Sequence, residues 1–328
     1  MIRSFIFSQG KLLNQDVGLD VLRVLLYDED VQIWVDAEKP TPEEIKALLQ
    51  DVFNFHPLAI EDCVAVSERP KIDDYETYVF MVIHAVDYLH SSHEFSTTEL
   101  NMFIGKNFFV TYHEEPLRST NTIIERVQRN APTIARAPDR LTYHILDVLL
   151  DNYQPALNEL SGELANLEKK VLTSEDTTDI MNDVVKLKNE VSHLRQIITP
   201  QREVIARIAR GEFFKVFRAH LLPYFRDLLD QLVRISTLAD NYRDSLTNIM
   251  QMHLNLQQMQ VNRVIKVLTV LATLTMPILA VTSFYGMNIQ HMPNTAWPTW
   301  PYAYAWIISL TLGWTALLFW YIRRKGWY

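Results

Sequence analysis

The chain has 328 residues, 48% of them apolar and 21% charged, with a net charge of −8; it is too polar to lie in a membrane throughout and too long for one small domain. Its charge is segregated: from residue 263 onward there is no Asp or Glu, and Arg263, Lys266, Arg323, Arg324 and Lys325 contribute +5, which leaves −13 on residues 1–262. Such an acid excess lacks the basic footprint that nucleic-acid phosphates require, and it suits small cations or simply a solvated acidic surface.

Residues 1–14 hold one Arg and the short apolar patch Phe5, Ile6 and Phe7, too short for a secretory h-region, so no signal peptide is expected. The single cysteine, Cys63, fits a reducing compartment. β-rich runs are predicted at 21–27, 31–35, 78–88, 99–104 and 108–112, the last two around the turn Gly105-Lys106-Asn107. Between them Thr41-Pro42-Glu43-Glu44 reads as a helix start, with a capping hydroxyl, proline at the first helical position and acids in the first turn, and 45–53 continues it. Residues 1–137 are therefore expected to form a mixed α/β domain. His90-Ser91-Ser92-His93 has a spacing that metals use, but with no Cys or further cluster beside it, it reads as a surface loop.

Over 138–222 the pattern predicts long antiparallel helices, 139–172 and 177 to about 210, with a turn at 176–179 and a kink at Pro200. From Pro223 neither Gly nor Pro recurs until Pro277, which predicts one continuous helix: a stalk over 223–263, with Asp227 in its first turn, and a first membrane span over 264–285. Leu228, Leu232, Ile235, Ala239, Tyr242, Leu246, Ile249, His253 and Leu256 alternate spacings of four and three, a period that predicts supercoiled association with other helices. From 223 to 285 such a helix is roughly 90 Å long, far more than a bilayer, so a stalk is expected in the cytosol.

Only 264–285 and 302–322 are apolar for the ~20 residues that a crossing needs. The connecting loop, 286–301, has no Lys or Arg, whereas basic residues precede the first span and form the tail 323–328; both termini are therefore expected in the cytoplasm. The 3.5 period carried into the first span selects Asn262, Ile265, Thr269, Ala272, Met276, Leu279 and Ser283, a stripe that reads as a pore lining or as an ordinary packing face. Two helices per chain cannot enclose an aqueous path, so a pore demands an oligomer. Mg²⁺ releases its waters reluctantly, and a ring of neutral oxygens that contacts those waters is a sensible filter. The Gly286 carbonyl and Asn288 could supply one, Gly allowing a tight exit from the helix, although an ordinary loop would look the same. No phosphate loop or cofactor fingerprint occurs among the eight glycines, and no acid/base or nucleophile constellation stands out. Neither an enzyme nor a cofactor is expected. Passive flow remains: a dication crossing 100 mV gains ~4.6 kcal/mol, twice the ~2.3 of a single charge.

Tyr285-Gly286-Met287-Asn288 at the end of the first of two C-terminal spans, preceded by Asn262-Arg263-Val264-Ile265-Lys266-Val267-Leu268-Thr269 and Met276-Pro277, resembles the CorA family of divalent-cation channels. The likeness extends upstream through His56-Pro57-Leu58-Ala59-Ile60-Glu61-Asp62, Arg69-Pro70-Lys71-Ile72 and Pro223-Tyr224-Phe225-Arg226-Asp227. It implies an α+β membrane protein of the cell membrane: a funnel-shaped homopentamer with an N-terminal αβα cytosolic domain, long stalk helices and two C-terminal transmembrane helices. Mg²⁺ is the implied substrate, with Co²⁺ and Ni²⁺ beside it. Gly286, Met287 and Asn288 would form the external selectivity filter, and Asn262, Thr269, Met276 and Leu279 would face the pore. Regulatory Mg²⁺ would sit between subunits at Glu61, Asp62 and Asp227. Carboxylates from neighbouring subunits repel when bare and are bridged by a dication, which would favour a closed, symmetric packing; a surface acid at Asp62 and helix-dipole stabilisation at Asp227 are the plain alternatives. Arg323, Arg324 and Lys325 would anchor the span or form a basic collar at the inner mouth, and Lys266 would snorkel to the interface.

The loop departs from the family pattern. Many members have an acid after the loop Met-Pro, where this chain has Met292-Pro293-Asn294, and no carboxylate occurs anywhere in the loop. His291 could favour a softer metal. The ZntB branch usually has Val where Met287 stands, which points this chain toward magnesium and cobalt. The alternatives are a Zn²⁺ transporter of the ZntB type, with or without proton coupling, and a membrane-anchored acidic sensor whose hairpin only tethers it.

Overall fold

The computed structural model describes residues 1–65, 69–89, 94–173, 177–287 and 302–326. These fall into two compact units, Met1–Met250 and Gln251–Tyr328.

The first unit is built on a seven-stranded sheet of order β2-β1-β3-β7-β6-β5-β4, comprising β1 (Ile2–Ser8), β2 (Lys11–Gln15), β3 (Val31–Glu38), β4 (Lys71–Asp74), β5 (Tyr78–Leu89), β6 (Glu94–Gly105) and β7 (Phe108–His113). All neighbours are antiparallel except β3 and β7, which run parallel with Ile33 opposite Phe108. The strands β1 and β2 were not predicted. Ser4, Phe5, Ile6 and Phe7 are all buried, because β1 is covered on both faces, and a strand of that kind shows no alternation to read. The predicted strand at 21–27 is instead the helix α1 (Leu19–Leu25). Its β-branched residues suggested a strand, but Leu22 alone is buried while Val21 and Val24 are exposed, which is one core contact on a short helix.

On one face of the sheet, α1, α2 (Pro42–Ile45), the π-helical turn Lys46–Val52 and α3 (Pro57–Val64) bury Leu22, Leu48, Leu49, Phe55 and Ala59 against Ile33, Val35, Phe80 and Phe103. The expected helix start at Thr41 is a full capping box: Glu44 N–H donates to Thr41 Oγ1 at 3.3 Å, and Thr41 N–H donates to Glu44 Oε2 at 2.8 Å. The other face carries α4 (Arg118–Ile134), α5 (Pro138–Asp151) and α6 (Tyr153–Thr173), giving an αβα sandwich. The expected single helix over 139–172 is two, parted at Asn152. Pro155 has no N–H to give to Asp151 and so cannot continue α5, yet it sits easily in the first turn of α6.

The helix α7 (Thr177–Ala209) is continuous through Pro200, and it already includes residues 177–179 of the expected turn. α6 and α7 also close a gap in the sheet. β4 reaches β5 only as far as Val82; beyond it, His84 N–H donates to Gln201 Oε1 at 3.2 Å and the His84 carbonyl accepts from Tyr153 Oη at 2.8 Å. Two buried side chains thus replace a strand, as buried backbone groups require.

The helix α8 runs from Leu222 to Tyr285 without a break, as the spacing predicted. Up to Met250 its partners lie in its own chain. Tyr242 Oη donates to the Leu157 carbonyl (3.2 Å), Gln231 Nε2 to Asp151 Oδ1 (3.3 Å), and Arg195 pairs with Asp240 at 2.8 Å. The second unit consists of the rest of α8 and α9 (Ala303–Arg324), and both are long and apolar enough to cross a membrane.

Candidate functional site

The first span shows two distinct faces. Val270, Thr273, Leu274 and Tyr285 are half-covered, and Pro277 and Val281 are buried; on α9 the covered positions are Ile307, Thr311, Thr315, Leu318 and Ile322, again at helical spacing. The stripe selected by period lies elsewhere. Asn262, Thr269, Ala272 and Ser283 are exposed, and Ile265, Met276 and Leu279 are 54, 71 and 63% exposed. One chain therefore shelters one side of the helix and leaves the other uncovered. The stripe is also less polar than its composition suggests, since Thr269 Oγ1 donates to the Ile265 carbonyl at 2.8 Å; its oxygen lone pairs are what remain for water.

The same phase extends upstream. Gln251, Asn255 and Gln258 are exposed at spacings of four, three and four from Asn262, and Gln258 Nε2 donates to Asn262 Oδ1 at 3.1 Å. Residues 245–262 contain no Asp, Glu, Lys or Arg. Sequence reasoning stopped the stripe at Asn262, although the charge-free run was there to be seen.

At the far end, Gly286 N–H donates to the Thr282 carbonyl at 2.9 Å. A Cβ at Gly286 would stand 2.9 Å from that same oxygen, so the residue is small because the last turn crowds it. Met287 is exposed. Asn288, His291 and the rest of the loop to 301 lie outside the described residues, as does His90-Ser91-Ser92-His93.

At the other end of the spans Lys266 Nζ donates to the Gly326 carbonyl at 3.4 Å, and Arg324 stacks on Trp320 at 5.3 Å. The start of the first span and the end of the second are thereby side by side, with Arg323 and Lys325 in the same group. Lys266 has a carbonyl partner there rather than only the headgroup region expected of it.

The three carboxylates expected to hold regulatory metal are dispersed. Glu61 is exposed on α3, and Asp62 pairs with Lys71. Asp227 lies past the first turn of α8, which begins at Leu222, so the helix dipole gives it little support. Its neighbours are acids. Burial, then Asp151 and Asp227, push the Asp147 carboxyl above its usual range, and burial together with Asp147 and Asp227 pushes Tyr143 up to about 12. Three aspartates therefore repel one another where α5 meets α8. Asp147 and Asp151 were missed from the sequence, yet like charges at i, i+4 are mutually unfavourable and invite attention. Among the described residues no three His, Cys, Asp or Glu side chains converge tightly enough to hold a metal within one chain. Cys63 is no ligand candidate, since burial, then Glu99, Glu114 and Asp62, hold its thiol well above its ordinary value.

The family model described as "CorA-like Mg2+ transporter protein" matches residues 29–324. The chain belongs to the CorA family. YfjQ of Bacillus subtilis is 32% identical over 296 residues, covering 90% of this chain and 89% of its own. The cobalt/magnesium transport protein CorA of Thermotoga maritima is 28% identical over 311 residues, 94% and 87% of the two chains. The complete CorA magnesium transporter structure from Methanocaldococcus jannaschii has the same fold, with a TM-score of 0.80 at 21% identity over 99% of this chain and 98% of that one. The resemblance read from Tyr285-Gly286-Met287-Asn288 thus holds over the whole length. As a CorA family member the chain is a divalent-cation transporter of the membrane, with two C-terminal spans, and not an enzyme.

Proposed function

We propose that the chain forms a homopentamer in the cell membrane with both termini cytoplasmic, conducting Mg²⁺, and with it Co²⁺ and Ni²⁺, passively down the membrane potential. The observation that carries this reading is the uncovered stripe of the first span, from Asn262 to Ser283, beside a second face that the hairpin itself covers. Copies arranged about an axis would turn that stripe inward. Gly286 and Asn288 would present amide and carbonyl oxygens to the waters of the arriving ion, with Met287 at the same mouth, and the neutral lining would let the hydrated ion pass without trapping it. Gln251, Asn255 and Gln258 continue the same chemistry inward. Basic residues at one end of the hairpin and none in the loop support the orientation.

Regulation follows from the acids. Among the described residues Glu61, Asp62 and Asp227 form no metal-holding group within one chain; a regulatory Mg²⁺ would bridge subunits, and Asp147 and Asp151 add to the negative field at Asp227. Binding would relieve that repulsion and favour the closed state.

The test is uptake into liposomes containing the purified chain, under an imposed negative-inside potential, with Mg²⁺, Co²⁺, Ni²⁺ and Zn²⁺ in separate arms. Potential-dependent Mg²⁺ uptake by an oligomer supports the proposal. A monomer in lipid, with vesicles no more permeable to divalents than empty ones, would sink it. Uptake of Zn²⁺ in preference to Mg²⁺, coupled to protons, would move the chain to the ZntB type.

A further inference from the structure

A cavity of about 1160 Å³ opens in the first compact unit, and nothing in the ion pathway uses it. Its floor is the middle of the β5–β6 pair, where His84 stands opposite Glu99. Gln201 and Tyr153, both buried, hold the His84 backbone there, where β4 has ended. The wall is one face of α7 from Ser192 to Glu203, and Arg69 borders the mouth.

The lining selects a ligand class. Among the described lining residues the rings are the imidazoles of His84 and His193, with no Phe, Tyr or Trp, and Ile197 and Pro200 are the aliphatic residues, so charged and polar side chains predominate. Three arginines line the space, Arg69, Arg195 and Arg202, the last two two helical turns apart on α7. Two acids share the lining: Glu203 is held by Arg210 at 3.0 Å and Glu99 accepts from Asn101 Nδ2 at 2.9 Å, while Arg195 meets Asp240 through Nε at 2.8 Å. Arginines gathered round one cavity reverse the local trend of a region that carries −13 over residues 1–262. Guanidinium groups match oxyanions bidentately.

We propose that this cavity binds a small polyvalent oxyanion, phosphoryl or carboxyl, between Arg69, Arg195 and Arg202. The experiment is a calorimetric titration of the full chain in detergent, free of divalent cations, with pyrophosphate and with citrate in separate arms. Arg202→Glu and Arg195→Glu are compared with Arg129→Glu, an exposed arginine on α4 outside the cavity. One saturable site per chain is expected for at least one anion, weakened about tenfold or more by Arg202→Glu and unchanged by Arg129→Glu. Binding of pyrophosphate alone identifies a phosphoryl ligand, and of citrate alone a carboxylate. Should Arg195→Glu fail to fold because its Asp240 contact is lost, the exposed Arg202 carries the test. Absence of saturable binding in both arms, or an equal loss in the Arg129 control, would overturn the proposal.

Discussion

Between Leu228 and Ile249 the heptad seam of α8 is closed, and every position on it is buried except the half-buried Tyr242, whose hydroxyl reaches α6. Further along the same helix the seam's phase runs through Val270, Leu274, Pro277 and Val281, which are covered, while a stripe of the same period two residues out of step, from Ile265 to Ser283, lies open. Periodicity is identical in the two halves, so it reports only that something packs there. What differs is the source of the partner. The upper half finds it in α5, α6 and α7 of its own chain, while in the lower half the seam's continuation is covered within the hairpin and the offset stripe has nothing on it. Lipid would satisfy Leu279 but gains nothing from Asn262, Thr269 or Ser283. A stripe that mixes such residues suits contact with copies of itself and with water.

The largest expected effect tests the closed half. Leu232 is 0% exposed and Leu268 is 63% exposed. Leu232→Ala is expected to lower the opening free energy of the 222–250 amides by ~2–5 kcal/mol, whereas Leu268→Ala should leave them within ~0.5 kcal/mol, both read by hydrogen exchange on the full chain. Equal protection in the two variants would mean that the seam is not an intrachain core.

For the open half the sharpest change is at its outer end. Asn288→Ala is expected to cut Mg²⁺ uptake at least about tenfold while leaving the oligomer intact, since a hydrogen bond to a charged group is worth ~1.5–3 kcal/mol. Gly286→Ala should do the same by another route, its Cβ meeting the Thr282 oxygen. A merely tethering hairpin would tolerate both, and unchanged uptake in liposomes would show it to be one.

How much of this was legible in the sequence follows the same division. The continuous α8, its seam and the two spans were readable because helix breakers and charges are absent over long runs, a signal that needs no tertiary context. The strands β1 and β2 were not, since Phe5, Ile6 and Phe7 are buried on both faces and show no alternation. The helix α1 was misread as a strand because Val21 and Val24 favour a sheet and only a tertiary contact through Leu22 decides otherwise. At the candidate site the motif points to Asp227, whereas its repulsion with Asp147 and Asp151 depends on α5 and α8 meeting, which spacing along one helix cannot reveal.

That acid group gives a smaller, gating-level test. Asp227→Ala removes a like charge beside Asp147, whose carboxyl should fall back toward its ordinary range. Half-inhibition of uptake by internal Mg²⁺ should shift several-fold to higher concentration, about 1 kcal/mol of coupling. An inhibition curve that does not move would count against a bridging metal at this place.

The smallest effect tests the closed region from within. Asp36 and His113 are fully buried; His113 Nε2–H donates to Asp36 Oδ1 at 3.1 Å and Nδ1–H donates to the Glu115 carbonyl at 2.6 Å. The carbonyl cannot donate, and neither can an ionised Asp36, so this geometry favours the imidazolium form of His113. Burial pushes its pKa down, but the Asp36 bond and charge, the Glu115 carbonyl and Glu38 outweigh it, and the net shift is above the ordinary 6.5. Burial likewise pushes Asp36 up, and His113, Thr111 and Arg3, at 2.6 Å, bring it below 3.8. Asn121, which receives Arg3, is the neutral group on α4. A histidine raised on folding contributes stability that is complete below 6.5 and lost as pH rises through its folded value, so the unfolding temperature of the full chain should fall on the alkaline side. His113→Gln keeps a donor but no charge, and the alkaline fall should vanish while the acid side, governed by Asp36, remains. An alkaline limb that survives in His113→Gln would show that the buried pair is not what titrates there.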